Sequence, residues 1–300
     1  MFSMFEILPD ELRDVVILDI GAMEEGQDRY HGLAQTGRAK VIGVEPNPVQ
    51  REKLESSRGS QYRYIPYFLG DGGEATIHIT RYHGCISLLE PNPQVINLFT
   101  NIGTEEGIGN FRVERTQPIK TIRLDDVDTA LQPDFIKVDV QGGELNILKH
   151  GVRTLSSALI VESEVEFLPV YKDQPLFCDI QAFMRDQGFH LHKLLDIAGR
   201  TLRPHDYRGN RDAATSQVLW ADGIFLRDFT RLDLYSDEQL LFAAVLLHDV
   251  YRSFDVAIYM LKEYDVRTGG DLMTAYGQKI SQVTPEQGRE RLYMNLKEFS

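Results

Sequence analysis

Residues 133–149 read PDFIKVDVQGGELNILK, and this stretch decides the fold. Its largely apolar run 135–138 predicts a buried strand that ends at Asp139, and two glycines separate it from a helix whose leucines repeat at helical spacing. Open sheets of parallel strands bind their ligands outside the carboxyl ends of the strands. The stretch therefore places Asp139 and Gln141 at the edge where a ligand would bind.

The bulk composition narrows the class of protein. Its 300 residues suffice for one large core, or for a core with a small appendage, so we expect two domains at most. With 42% hydrophobic and 26% charged residues the composition is typical of soluble globular proteins, and the longest apolar run, 240–247, is too short to cross a bilayer. Residues 1–14 contain acids and no basic segment ahead of an apolar one. We therefore predict no signal peptide and expect a cytoplasmic location.

The charge and the cysteines narrow the class further. A net charge of −13 disfavours nucleic acid as a partner, because nonspecific affinity for phosphate backbones comes mostly from Lys and Arg. Cys85 and Cys178 are too few for a disulfide framework, and we expect both to be free thiols.

Buried strands alternate with amphipathic helices along most of the chain. The pattern predicts seven strands of a main sheet, at 15–18, 40–44, 62–69, 135–139, 158–161, 189–195 and 218–226. Helices are expected at about 27–35, 48–57, 144–149 and 175–187, and Asn47 before Pro48 is a good helix start. Segments 74–80 and 111–124 alternate polar and apolar residues in places, which predicts an antiparallel excursion beside the sheet.

The chain changes character after about residue 227. The capping-box sequence SDEQ (236–239) precedes a strongly apolar helix, apolar residues within 250–261 mark a second, and a third is expected to begin at 284. We therefore expect a main domain at 1–228 and a helical annex at 229–300. The apolar helices of the annex are compatible with a cover over the site or with a homodimer interface.

The loop after the first strand, DIGAMEEG (19–26), contains glycines that allow a backbone to approach a ligand closely. A phosphate loop needs Lys and then Ser or Thr after the second glycine, where this chain has Gln and Asp. Two glutamates in the loop would lie beside a pyrophosphate, which disfavours a dinucleotide. A cofactor with a ribose, a cationic centre and no phosphate fits better, and S-adenosylmethionine meets that description. A tight turn without a ligand is the alternative for this loop taken alone.

Five blocks of sequence resemble the FkbM-type methyltransferases in their order and spacing: LGD (69–71), ISLL (86–89), TIRLDD (121–126), residues 134–148 and EVEFLP (164–169). The resemblance spans roughly residues 15–227. It implies an α/β protein with the seven-stranded, Rossmann-like sheet of class I methyltransferases. It also implies S-adenosylmethionine-dependent O-methylation, commonly of a sugar or secondary-metabolite hydroxyl.

The resemblance also implies roles for individual residues at the cofactor. By their positions in the family pattern, Asp19, Gly21 and Ala22 would hold the methionine end of the cofactor. Glu45 would hold the ribose, and Asp71 would hold the adenine edge. Asp139 and Gln141 are expected to contact the cofactor as well. The family usually has Gly-Ala-Asn with a glycine two residues later, whereas this chain has Met23 in place of the asparagine and its next glycine one residue late.

Methyl transfer to a hydroxyl needs an acceptor oxygen held close to the methyl group and a base that takes its proton. Asp139 is the candidate base, since the end of that strand faces the methyl group in this fold, and capping of the following helix is its alternative role. Glu162 and Glu164 stand two apart at the end of a strand and are candidates to bind acceptor hydroxyls or a divalent cation, or to form a solvated edge. His83 is a candidate on the acceptor side.

Other chemistries have less support in the sequence. His190 and His192 lie two apart, but no Cys or third His follows at a zinc-site interval, and no metal site is predicted. No Ser-His-Asp arrangement indicates a hydrolase. An NAD-dependent oxidoreductase would use Tyr-x-x-x-Lys in its core domain, and the only such spacing is Tyr293 with Lys297. A noncatalytic binding module with a methyltransferase fold is the other alternative, because the first loop departs from the family pattern.

Overall fold

A seven-stranded, mostly parallel sheet forms the centre of the protein. The computed structural model describes residues 2–23, 28–106, 109–205 and 216–282. The strands in these residues are β1 (Val15–Ile20), β2 (Ala39–Val44), β3 (Tyr62–Ile65), β4 (Glu74–Thr80), β5 (Val113–Lys120), β6 (Phe135–Val138), β7 (Ile160–Glu166), β8 (Phe189–Gly199) and β9 (Val218–Arg227).

Helices cover both faces of the sheet, and further helices follow its last strand in the chain. They are α1 (His31–Gln35), α2 (Pro48–Ser57), α3 (Pro93–Ile96), α4 (Leu124–Val127), α5 (Glu144–Lys149), α6 (Val152–Leu155), α7 (Phe177–Asp186), α8 (Asp237–Val245), α9 (Phe254–Thr268) and α10 (Leu272–Ile280). A π-helical turn, Leu246–Val250, joins α8 to α9. Among the described residues, no helix combines the length and the apolar character needed to cross a bilayer.

The order of the strands is β3-β2-β1-β6-β7-β9-β8, and β9 runs antiparallel to both of its neighbours. The chain leaves β1 toward β2 and β3 on one side and returns to β6 on the other, so the strand order reverses between β1 and β6. Such a reversal opens a crevice at the carboxyl edge, where α/β sheets bind ligands. The predicted seven-stranded fold is confirmed, and so is the antiparallel excursion, which is the separate pair β4 and β5.

The two faces of the sheet belong to two different hydrophobic cores. Ile17, Phe135 and Ile160 are register neighbours on β1, β6 and β7, and they pack with α1, α8 and α9. The residues that follow them, Leu18, Ile136 and Val161, point to the other face and pack with α5 and α7. Both faces are therefore covered, which explains why these strands read as continuous apolar runs.

The annex is continuous with the first of these cores. The predicted capping box is present, because Ser236 Oγ accepts a hydrogen bond from the Gln239 amide and Gln239 Oε1 accepts one from the Ser236 amide. The apolar helix that follows is buried on all sides, from Leu240 to Val245. The division of the chain at residue 228 stays a prediction.

Some element boundaries differ from the sequence predictions. β3 ends at Ile65, since Pro66 removes a donor from the ladder, and does not continue to residue 69. β7 continues past Glu162 to Glu166, because β9 pairs with it over its whole length. The second annex helix begins only at Phe254, and α10 was not predicted. The helix expected at residue 284 lies outside the described residues.

Candidate active site at the carboxyl edge of the sheet

The loop after β1 lies directly against the end of β6. Gly21 has φ +89°, and a Cβ added to it would lie 1.8 Å from the backbone carbonyl oxygen of Asp139. The Asp139 amide donates to the Ile20 carbonyl at 2.9 Å, and the Gly21 amide donates to the Val44 carbonyl at 3.2 Å. Only glycine fits this approach. Asp19, Gly21, Ala22 and Asp139 are therefore brought together at the crevice.

Asp19 and Lys137 form the buried base of the crevice. Asp19 is 2% exposed, and its Oδ2 accepts a hydrogen bond from the Tyr30 hydroxyl at 2.6 Å. Lys137 Nζ lies 3.6 Å from Asp19 Oδ1, 3.5 Å from Asp28 Oδ1 and 4.0 Å from Asp139 Oδ2. Burial raises the pKa of Asp19 although Lys137 opposes the shift. Burial alone would lower the pKa of Lys137, but the surrounding carboxylates outweigh it and raise this pKa.

Glu45 lies at the end of β2, where the chain turns into α2. Its Oε1 accepts a hydrogen bond from the Asn47 amide at 2.6 Å, and Asn47 caps α2 by accepting from the amides of Val49 and Gln50. Burial raises the pKa of Glu45 to about 7, while the Asn47 amide and Arg51 act in the opposite direction. The carboxyl group is thus fixed in position at the edge of the sheet, one strand away from Asp19.

Asp71 lies further out than Glu45 and is exposed. Its Oδ1 accepts a hydrogen bond from the Gly73 amide at 2.8 Å, which lowers its pKa. The same turn packs on Thr121, whose hydroxyl lies 3.4 Å from Asp71 Oδ1. Asp71 therefore shapes a turn at the rim of the crevice.

Gln141 connects the end of β6 to β7 and to a buried tyrosine. Its Nε2 donates to Asp139 Oδ1 at 3.1 Å and to Glu164 Oε2 at 2.8 Å, and its Oε1 accepts from the Tyr171 hydroxyl at 3.2 Å. The residue has φ +61°, which is uncommon for a side chain other than glycine. The Ser87 hydroxyl donates to its backbone carbonyl at 2.6 Å.

Glu144 fixes the turn on which Gln141 stands. A single oxygen of its carboxyl group, Oε1, accepts hydrogen bonds from the amides of Val140 and Gly142, on either side of Gln141. Burial raises the pKa of Glu144 to about 7. No side chain in the described part of the chain caps α5 at Gly143, and the Asp139 carboxyl group instead faces Gln141 and Lys137, so the helix-capping alternative for Asp139 loses its support.

Three glutamates alternate along β7, and they point to the side of the sheet that carries Lys137. Sequence reasoning identified Glu162 and Glu164 and missed Glu166, although the same two-residue period extends to it. Burial, together with the charge of Asp139, raises the pKa of Glu164 well above its ordinary value. Glu166 is 2% exposed, its Oε2 has no hydrogen-bond partner within the described residues, and burial likewise raises its pKa.

Glu162 is bound to two residues that sequence reasoning missed. Arg29 donates to its Oε1 at 2.5 Å, and the buried hydroxyl of Tyr251 donates to its Oε2 at 2.7 Å. Arg29 also pairs with Asp222 at 2.6 Å and with Asp196. Both oxygens of Glu162 are therefore taken by protein groups. This arrangement favours a structural role for Glu162 over the binding of acceptor hydroxyls.

The histidines are dispersed. His83 begins the turn His83–Cys85, whose Cys85 carbonyl accepts a hydrogen bond from the Tyr171 hydroxyl at 3.1 Å, so the turn itself adjoins the Gln141 cluster. His190 pairs with Asp228, whereas His192 contacts the Ser253 hydroxyl. Within the described ranges, no group of three or more His, Cys, Asp or Glu residues is arranged to hold a metal ion.

A signal for one missed residue was present in the sequence. Lys137 is a lysine within an otherwise apolar strand, and a buried charge of this kind requires partners. Arg29 and Tyr251 gave no such signal, because each reaches Glu162 from a distant part of the chain.

Comparison with known proteins gives the family. Residues 19–191, more than half of the chain, match the model of the methyltransferase FkbM domain. The hexuronic acid methyltransferase AglP of Haloferax volcanii is 26% identical over 194 residues, which are 61% of this chain and 72% of that protein.

Two solved structures resemble this chain, with low sequence identity and low TM-scores. The precorrin-6y C5,15-methyltransferase of Geobacter metallireducens is 13% identical with a TM-score of 0.34, covering 75% of this chain and 85% of that chain. TYW2 of M. jannaschii in complex with AdoMet is 11% identical with a TM-score of 0.30, covering 75% and 74%. TM-scores this low support no conclusion about the fold. The strand order β3-β2-β1-β6-β7-β9-β8 establishes the architecture.

The family match confirms the resemblance found in the sequence. It leaves neither the NAD-dependent oxidoreductase nor the noncatalytic binding module with support. Tyr293 and Lys297, the spacing considered for the oxidoreductase, lie outside the described residues. This chain belongs to the FkbM methyltransferase family and is an S-adenosylmethionine-dependent methyltransferase.

Proposed function

We propose that the enzyme methylates a hydroxyl group of a sugar, a glycan or a secondary metabolite, with Asp139 as the general base. The observation that carries the proposal is the position of Asp139: its side chain is 33% exposed at the crevice, while Glu144, Glu162 and Glu166 are buried. The side chains of Gln141 and Lys137 contact the carboxyl group of Asp139. The relative AglP acts on a hexuronic acid, which supports a sugar as the acceptor.

The residues at the crevice suit S-adenosylmethionine. Asp19 Oδ1 is buried beside Lys137 at 3.6 Å and accepts no hydrogen bond from the described residues, so it could accept one from a donor such as the methionine ammonium. The backbone of Gly21 and Ala22 would lie beside the cofactor, and the absence of a Cβ at Gly21 lets this loop pack against the Asp139 carbonyl at the end of β6. Glu45 Oε2 is the oxygen to which a ribose hydroxyl would donate, and Asp71 would lie at the adenine, at the exposed rim.

When bound, the cofactor supplies a methyl group on a sulfonium cation. Asp139 takes the proton of the acceptor hydroxyl, and a placed base of this kind contributes roughly 10²–10⁴-fold in rate. Lys137 Nζ lies 4.0 Å from Asp139 Oδ2 and helps to fix the position of the carboxyl group. Glu164 and the turn that begins at His83 adjoin Asp139 through Gln141, and we assign them to the acceptor side.

Two measurements test this proposal. Calorimetric titration with S-adenosylhomocysteine, with NAD as the control ligand, should show saturable binding that Glu45→Gln weakens. Methyl transfer to a panel of glucose, glucuronate and a phenol should then be measured with wild type, with Asp139→Asn, and with Asp126→Asn as a matched control at an exposed position on α4. We expect Asp139→Asn to bind S-adenosylhomocysteine and to lose at least about a hundredfold in turnover. Full turnover in Asp139→Asn would refute the assignment of the base.

A further inference from the structure

Gln141 makes hydrogen bonds to protein groups that a residue with only a cofactor-binding role would not need. Its amide nitrogen lies between two carboxyl groups, Asp139 Oδ1 at 3.1 Å and Glu164 Oε2 at 2.8 Å. Its amide oxygen faces the Tyr171 hydroxyl, so the hydrogen-bonding partners themselves fix which end of the amide is which. Every polar atom of the side chain is thus directed to a protein group.

The backbone at Gln141 is held in an unfavourable conformation by its surroundings. Its φ of +61° costs free energy for a residue with a side chain, and Glu144 maintains it by binding the amides on both sides. The Ser87 hydroxyl binds the carbonyl of Gln141 from the opposite side. Backbone strain that is fixed by several independent bonds is characteristic of functional sites, where it aims a side chain.

The two carboxyl groups that Gln141 bridges stand on different strand ends. Asp139 follows β6 and Glu164 lies on β7, and both residues are half-buried. Two carboxylates at this separation repel each other, and a donor bonded to both offsets part of that repulsion. The charged and polar groups that face Asp139 from the packed elements are Asp19 on β1, Lys137 on β6, Gln141 in the turn, Glu144 on α5, Glu164 and Glu166 on β7, and Asp222 on β9.

We propose that Gln141 is a positioning residue that holds the Asp139 carboxyl group toward the crevice by bridging it to Glu164, and that it does not bind the cofactor directly. The inference rests on the proposed role of Asp139. Tyr171 is the second member of the arrangement, because its hydroxyl keeps the oxygen of the Gln141 amide turned away from the carboxylates.

The test compares two ligands that differ in charge at the position of the transferred methyl group. Sinefungin carries an ammonium there, whereas S-adenosylhomocysteine is neutral, so the ratio of their affinities reports a negative charge at that position. Calorimetry at about pH 7.5 should give wild type a preference for sinefungin over S-adenosylhomocysteine. In Gln141→Met, which keeps the length and lacks the donor, this preference should fall by about tenfold, because the hydrogen bond that holds the Asp139 carboxyl group toward the position of the methyl group is lost.

A further variant separates positioning from folding. Tyr171→Phe keeps the buried ring and removes only the hydroxyl that binds the Gln141 amide oxygen, and it should lower the preference for sinefungin by a smaller factor than Gln141→Met. If Gln141→Met does not fold, Tyr171→Phe still decides the matter.

An unchanged preference for sinefungin in Tyr171→Phe and in folded Gln141→Met would overturn the positioning role, even if their thermal stability falls. Loss of S-adenosylhomocysteine binding in Gln141→Met would instead show direct contact with the cofactor. The proposed function fails separately, if wild type shows no preference for sinefungin or if Asp139→Asn keeps the wild-type preference.

Discussion

Replacement of Gly21 by alanine tests the close approach between the loop after β1 and the end of β6. The new Cβ would lie 1.8 Å from the carbonyl oxygen of Asp139, and real Cβ contacts are essentially never shorter than 3.0 Å. The two loops must therefore separate by about 1.2 Å. Two costs add: an alanine in the left-handed region costs about 1–2 kcal/mol, and overpacking costs about 1–3 kcal/mol. We expect Gly21→Ala to lower the free energy of unfolding by about 2–5 kcal/mol.

Gly37→Ala is the matched control. Gly37 follows α1 with φ +77°, and an added Cβ meets nothing within 4 Å, so this variant measures the conformational cost alone, about 1–2 kcal/mol. Urea unfolding followed by circular dichroism gives both values, and calorimetry gives the affinity for S-adenosylhomocysteine. We expect Gly21→Ala to lose at least about tenfold in affinity, because misplacement by about 1 Å is costly at such sites, and Gly37→Ala to lose none. Equal destabilisation by the two substitutions, with cofactor affinity intact in both, would refute the close approach.

The other predictions concern Glu45 and Tyr251. Because burial raises the pKa of Glu45 to about 7 and the ribose binds its ionised form, affinity for S-adenosylhomocysteine should be full above that pH and should fall about tenfold per pH unit below it. Calorimetry across this range checks the slope, and Glu45→Gln should abolish it. Tyr251→Phe removes a buried hydrogen bond to Glu162 and should lower the free energy of unfolding by about 1.5–3 kcal/mol in urea; a change below about 0.5 kcal/mol would contradict the bond.

The elements that the sequence predicted well are those whose signals are local. Continuous apolar runs identified β1 and β6, since these strands are buried on both faces by helices. The sequence Asn47-Pro48 identified the start of α2 because the cap is made within three residues. Strand length was less predictable. β7 extends to Glu166 only because β9 pairs with it, and pairing between distant segments leaves no mark on either segment alone.

The positions of the site residues followed from topology, whereas their contacts did not. Asp19 lies in the last two residues of β1, and Glu45 and Asp139 follow β2 and β6, so their proximity at the edge where these strand ends meet could be inferred. The role of Gln141 could not, because it depends on Glu164 and Tyr171, which lie 23 and 30 residues further along the chain. Contacts of this range are set by packing, which the order of residue types does not encode locally.

One face of β1, β6 and β7 connects the annex to the candidate active site. Ile17, Phe135 and Ile160 are register neighbours beneath the annex helices, and two residues further along the same strands the neighbours are Asp19, Lys137 and Glu162. This face therefore changes from apolar to charged within a single pleat. Tyr251 stands at that boundary: its ring packs against Phe135, and its hydroxyl binds Glu162.

A buried charge such as Glu162 is tolerated only when it is bonded. The annex supplies that bond, and it also covers the apolar part of the same face. Removing the annex would therefore expose the apolar row and leave one oxygen of Glu162 without its donor. For this reason we expect the annex to be required for the folding of the sheet, beyond any contact it makes with an acceptor.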